Sequence, residues 1–299
     1  MQENEYLYNK NYLIKNKFLF ENEYNISTSI LNKGEKNIYQ TINHLSRIIP
    51  RYKKVKIGSL PLDEIQISAL EHSLNNSFSI ILGGPGTGKT TILNDLLESL
   101  KTNTTLLSYT GKAVNAINEK LFMDSNIKAT TIHKFLRYSK DTLSFDLEPR
   151  DDIDTLIIDE FSMVPTILFS TVLSVLPHLE RIILLGDENQ IPSITSGNLL
   201  RDFIREFPNN IVKLEKNYRQ DESSSIIFDA ALINDMKRPL FNSKSSILKE
   251  YDPFDENEMH RSIIKNFFID KENTVVLCPV YKGINGINFL NQEIKNKIF

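Results

Sequence analysis

Phe78-Ser79-Ile80-Ile81-Leu82-Gly83-Gly84-Pro85-Gly86-Thr87-Gly88-Lys89-Thr90-Thr91 is a short apolar run that breaks into a glycine-rich loop. Ile92, Leu93, Leu96, Leu97 and Leu100 follow at the three-to-four-residue spacing of a helix with one apolar face. The loop, Gly83 to Thr90, fits the G-x-x-x-x-G-K-[ST] pattern in the strand-to-helix context that pattern requires. Its glycines let the backbone wrap phosphates, and its N–H groups with the positive end of the following helix form an anion site. Lys89 would reach the β- and γ-phosphates, and the Thr90 hydroxyl would be a magnesium ligand. The bland alternative is a glycine turn that only joins strand to helix, and the complete motif argues against it. The expected ligands are therefore ATP and Mg2+, held by Gly83, Gly84, Pro85, Gly86, Thr87, Gly88, Lys89, Thr90 and Thr91.

Outward from the loop, β-rich runs at 78–82, 104–109, 153–158, 181–185, 211–214 and 274–280 alternate with helical patterns. Several are continuously apolar, as strands buried on both faces of a parallel sheet are. The expected fold is α/β, built from βαβ units with right-handed crossovers. Polar motifs follow successive strands: Gly83, Thr110-Gly111-Lys112, Asp159-Glu160 and Gly186-Asp187. Ligands of such sheets collect outside the carboxyl ends of the strands, so these motifs should share one rim. Residues 1–56, rich in Tyr and Asn and without strand-end motifs, read as a small helical module, followed by domains at 57–207 and 208–299.

Leu156-Ile157-Ile158-Asp159-Glu160 ends an apolar strand in paired carboxylates, 70 residues after Lys89. Asp159 would hold magnesium through its water shell and Glu160 would accept a proton from an attacking water. Gln190, in Gly186-Asp187-Glu188-Asn189-Gln190, can donate and accept hydrogen bonds and would sense the γ-phosphate or orient water. Arg219, in Asn217-Tyr218-Arg219-Gln220, offers a permanent charge to a transferring phosphoryl group, although a surface arginine is the ordinary alternative. Gln66, 17 residues before Gly83, is either an adenine-reading amide or a solvent-facing helix residue.

A chain of 299 residues with 40% hydrophobic and 24% charged residues has the composition of a globular protein with room for a sizeable core. Its single cysteine, Cys278, excludes an intrachain disulfide and a thiolate-rich metal site, which fits a reducing cytoplasm. Neither a signal peptide nor a membrane-spanning run is expected. The net charge of −3 supplies no global attraction for nucleic acid, so any contact must come from a local patch. Thr110, Lys112, Thr131 and His133 are the candidates, because hydroxyls, lysine and backbone N–H groups are common phosphate-binding equipment. For His133 a satisfied buried histidine or a helix-start residue is the alternative, and Tyr109 and Phe135 are base-stacking or core residues.

Together, the Gly83–Thr91 loop, Ser108 to Ala113, Ala129 to His133, Asp159 to Met163, Gly186 to Ser193 and Asn217 to Gln220 resemble the ordered motifs of the RecD-like superfamily 1 DNA helicases. The resemblance extends through Val275 to Gly286 and Leu290-Asn291. Residues 6–31 are similar to the region preceding the motor in the alpha subunit of exodeoxyribonuclease V. It implies two RecA-like motor domains with ATP between them, moving 5′→3′ on single-stranded DNA. A RecBCD-type complex with RecB- and RecC-like subunits would then act on DNA ends in double-strand-break repair and recombination. By position, Gln66 would read adenine, Lys89, Thr90 and Asp159 would serve phosphate and magnesium, and Glu160 the water. Gln190 and Arg219 would serve the γ-phosphate, and Thr110, Lys112, Thr131 and His133 the DNA. The family's late motifs do not occur in the 82 residues after Asn217, so the second motor domain is expected to be incomplete. A stand-alone RecD-like helicase and a nucleotide-dependent binding module without effective turnover are the alternatives.

Overall fold

The computed structural model describes residues 26–48, 62–100, 103–121, 127–195, 197–216, 225–243, 246–252 and 255–298. Two compact units meet in sequence at Glu222 and Ser223.

In the first unit, helix α1 (Ile26–Leu45) and helix α2 (Glu64–Asn75) precede strand β1 (Phe78–Gly83). Helix α3 (Lys89–Leu100) follows the glycine loop, then β2 (Thr104–Ser108), α4 (Gly111–Lys120), β3 (Thr130–Thr131) and the one-turn α5 (Ile132–Phe135). After these come β4 (Thr155–Asp159), α6 (Thr166–Ser174), β5 (Arg181–Gly186), α7 (Leu199–Glu206) and β6 (Ile211–Leu214). The strands form one sheet in the order β3-β2-β4-β5-β1-β6, every pair parallel. This is the α/β, RecA-like P-loop arrangement expected from the loop and its flanking runs.

Both faces of the sheet are covered, which is why the strands carry unbroken apolar runs. Side chains alternate along β1: Phe78, Ile80 and Leu82 enter one core with Phe161, Phe169 and Phe203, while Ile81 enters the other with Leu70, Ile92, Leu93 and Leu96. Ile38, Ile42 and Leu45 of α1 belong to the first core. Asn37 of α1 donates through Nδ2 to the Ser170 carbonyl at 3.3 Å. The described part of the N-terminal segment is thus packed into this unit, where a separate module was expected. The boundary expected at 207–208 likewise falls ahead of β6, which pairs with β1 from Ile80↔Ile211 to Gly83↔Leu214.

The second unit has α8 (Ser225–Asn234), a two-stranded hairpin of β7 (Asn242–Ser243) and β8 (Ser246–Ile247), α9 (Glu256–Ile269) and α10 (Ile287–Ile298). The His260 ring of α9 bridges the Ile284 carbonyl and the Glu293 carboxylate of α10. The strand expected at 274–280 is not formed: Val275 is 71% and Leu277 88% exposed. A strand needs a ladder partner, and among the described residues of this unit only β7 and β8 pair. Among the described residues no helix is long and apolar enough to cross a membrane.

Candidate functional site

The glycine loop leaves β1 at the carboxyl edge of the sheet and turns at once into α3. Two features hold its curve. The Thr87 hydroxyl donates to the Gly84 carbonyl at 2.9 Å, and a Cβ at Gly83 would approach that hydroxyl to 2.4 Å, so only glycine fits there. The Lys89 ammonium donates to the Gly83 and Gly84 carbonyls, which keeps it over the loop.

Gln66 braces the loop from behind. It is the N3 residue of a capping box: Asp63 accepts from the Gln66 N–H at 2.7 Å, and the Gln66 Oε1 accepts from the Asp63 N–H at 3.0 Å. Its Nε2 then donates to the Thr87 carbonyl at 3.3 Å. The side chain is 4% exposed, which removes the solvent-facing alternative.

β4 delivers Asp159 and Glu160 to the same rim, with β5 between it and β1. Glu160 has φ +55° and ψ +40°, a left-handed conformation that non-glycine residues seldom adopt and that recurs at functional sites. Asp159 Oδ1 and Glu160 Oε2 are buried with no hydrogen-bond partner among the described residues. Burial first, and the Glu160 charge second, push the Asp159 carboxyl up to about 6, against opposing pulls from the Glu160 N–H and then from Lys89. Unpaired buried carboxylate oxygens are costly, so this pair fits a divalent cation. Magnesium commonly takes one or two carboxylates, phosphate oxygens and water, and Thr90 and Asp159 are protein oxygens of that kind beside a phosphate-shaped loop.

At the end of β5, Asp187 accepts from the Asn189 N–H at 3.0 Å, and its carbonyl accepts from the Gln190 N–H at 3.2 Å. This turn aims Gln190 toward β4, where its Oε1 accepts from the Ser162 hydroxyl at 3.3 Å.

A cleft of about 850 Å³ gathers Gln66, Gly84, Pro85, Gly86, Gly88, Lys89, Thr90, Thr91, Asp159, Glu160 and Gln190. Gly83 and Thr87 shape the loop without lining the cleft. Arg219 lies outside the described residues. Sequence reasoning missed two lining residues, Asn94 and Lys120. The first had a usable signal, since a residue four beyond Thr90 sits on the same helix face; Lys120 had none.

The other four candidates form a separate corner at the β2–β3 edge. Parallel pairing sets Ser108 against Thr131, so the residues after both strands emerge side by side. Thr110 caps α4 by accepting from the Ala113 N–H, and Thr131 caps α5 by accepting from the Lys134 N–H, both at 3.2 Å. Lys112 is exposed. The half-buried His133 ring lies 6.1 Å from Tyr109, 5.8 Å from Tyr138 and 6.0 Å from Phe145. Tyr109 and Phe135 are partly buried against the core, in line with the core alternative.

The profile of the AAA domain family matches residues 66–196, from the loop's brace to the turn beyond Gln190. The RecBCD enzyme subunit RecD of Buchnera aphidicola (Acyrthosiphon pisum) is 28% identical over 310 residues, covering 77% of this chain and 51% of that protein. The ATP-dependent RecD2 DNA helicase of Deinococcus radiodurans is 31% identical over 247 residues, covering 81% of this chain and 33% of that protein. The RecD subunit of Haemophilus influenzae is 31% identical over 157 residues, covering 44% of this chain and 24% of that protein. Similarity to RecD-like superfamily 1 helicases thus runs through most of the chain, which spans about half or less of the length of these relatives.

Proposed function

We propose that this chain, related to the RecD-like superfamily 1 helicases, binds ATP with magnesium in the cleft, hydrolyses it, and uses the turnover to act on DNA. One observation carries the reading: two buried carboxylate oxygens, on Asp159 and Glu160, have no hydrogen-bond partner among the described residues and lie in the same cleft as Lys89 and Thr90. A turn that merely joined strand to helix would have no use for them.

The loop N–H groups and Lys89 hold the phosphates and stabilise the charge that grows on the transferring phosphoryl group. Thr90 and Asp159 would hold magnesium, which when bound neutralises phosphate charge. Glu160, adjacent to Asp159 but free to take a different task, accepts the proton of the attacking water. Gln190, held by Ser162 and by its turn, orients that water or contacts the γ-phosphate. Arg219 would add positive charge there. Gln66 has one N–H and one lone pair left for adenine after bracing the loop.

Thr110, Lys112, Thr131 and His133 would contact single-stranded DNA at the neighbouring corner. The finer reading is a 5′→3′ translocating subunit of a RecBCD-type exodeoxyribonuclease V, acting in the cytoplasm on DNA ends with RecB- and RecC-like subunits. The relatives named as RecBCD subunits support it, while the Deinococcus relative, named as an ATP-dependent DNA helicase, supports the helicase reading without that complex. The start of a second RecA-like domain would lie beyond β6.

ATP hydrolysis by the 299-residue chain, with and without single-stranded DNA, tests the reading. DNA-stimulated turnover that Lys89→Ala abolishes is the expected result. Hydrolysis indifferent to Lys89→Ala, or no nucleotide binding at all, would overturn it.

A further inference from the structure

The cleft and the β2–β3 corner share one helix. α4 begins at the Thr110 cap and Lys112, and its last residue, Lys120, lines the cleft. Ten helical residues make a rod about 15 Å long.

Two asparagines fasten this rod. Asn94, four residues past Thr90 and 5% exposed, donates through Nδ2 to the Lys120 carbonyl at 3.1 Å. The last carbonyls of a helix lack donors from their own turns, so this bond ties the free end of α4 to α3. Lys89, Thr90 and Thr91, in the first turn of α3, line the cleft themselves. Asn118 grips in the other direction: its Nδ2 donates to the Ala129 carbonyl at 3.1 Å and its Oδ1 accepts from the Ala129 N–H at 2.8 Å. Ala129 leads directly into Thr130, Thr131 and His133. A shift of the first turn of α3 therefore reaches both halves of the corner, Thr110 and Lys112 along α4 and Thr131 and His133 through Asn118. α4 is a surface helix with only Ile117 buried, so the hydrogen bonds that Asn94 and Asn118 make to its neighbours are what tie its motion to α3 and to Ala129.

We propose that Asn94 and Asn118 are positioning residues that couple nucleotide occupancy of the cleft to single-stranded DNA binding at the β2–β3 corner, with α4 as the rigid link. The inference rests on the functional reading above.

Coupling of this kind is a ratio of affinities. The affinity of a labelled oligothymidylate is measured by fluorescence anisotropy, without nucleotide and with a saturating non-hydrolysable ATP analogue and magnesium. In the unmodified chain the ratio is expected to differ from one by about 5-fold or more. Asn94→Leu and Asn118→Leu, which keep the branching of the side chain and remove the hydrogen bonds, should bring it close to one. Nucleotide titrations run in parallel ensure saturation of each variant. Asn94→Ser and Asn118→Ser serve where a leucine variant loses its cooperative thermal transition. DNA binding by the unmodified chain with a ratio of one, or folded variants that keep the original ratio, would overturn the inference. Failure of the unmodified chain to bind DNA would overturn the functional reading first, and the inference with it.

Discussion

The Gln66 side chain donates to the Thr87 carbonyl at 3.3 Å, and it does so across Gly88, where an added Cβ would come within 2.2 Å of Gln66 Nε2. A residue 21 positions earlier in the chain thereby sets the shape of the phosphate loop.

Gly88→Ala should distort the loop for two separable reasons. The position has φ +88°, a strain of roughly 1–3 kcal/mol for an L side chain, and the methyl collides with Gln66. Thermal unfolding and ATP-analogue titration should both register the loss. Adding Gln66→Ala removes the collision but not the strain, so the double variant should recover part of the stability and none of the contribution of the brace.

Glu160→Gln should separate binding from chemistry. The amide keeps size and position but cannot take the water's proton, so turnover should fall by about 10²–10⁴ while nucleotide affinity stays near the original. A parallel loss of affinity and turnover would show that Glu160 serves binding instead.

Magnesium dependence should carry the mark of Asp159. Burial and Glu160 raise its carboxyl to about 6, and only the ionised form holds a cation. The magnesium concentration needed for half-maximal nucleotide binding should therefore rise as pH drops from 8 to 5, where an ordinary aspartate would stay ionised. Asp159→Asn should need high magnesium at every pH, with a flat profile.

Stability should fall as pH rises, through Glu35 on α1. Burial, with the Asp202 charge adding to it, raises Glu35 from 4.5 to about 7. A carboxyl raised on folding stabilises the fold fully below its unfolded value, and that contribution is lost as pH rises through the folded value. At about 1.4 kcal/mol per pH unit, the climb amounts to roughly 3–4 kcal/mol at most. Asp202, raised to about 6 mainly by burial, acts with the same sign. Denaturant unfolding at pH 5 and pH 8.5 should show a smaller loss for Glu35→Gln than for the unmodified chain.

Local pattern made the loop, both acids, the α3 stripe and every strand of the sheet but the two-residue β3 legible, because each depends on neighbours within a turn or a strand. The run at 274–280 shows the limit of that logic: its continuous apolar residues suit a strand, but pairing depends on a partner elsewhere in the chain. Residues 136–151 likewise take their shape from specific pairings. There the structure has a turn closed by the single Ser139↔Ser144 bridge and pinned by Arg137 and Arg150 on Asp146.

The sequence by itself determined that a phosphate loop sits between a buried strand and an amphipathic helix, and that two acids end a later buried strand. Only the tertiary structure decided what those residues meet. Strand order inserts β5 between β1 and β4 and so brings Gln190 to Ser162. Helix packing brings Asn94 to Lys120 across 26 residues, and α2 turns Gln66 into a brace of the loop. Pairings of this range leave no periodic trace in the chain, since they arise from how finished elements pack and not from spacing along the backbone.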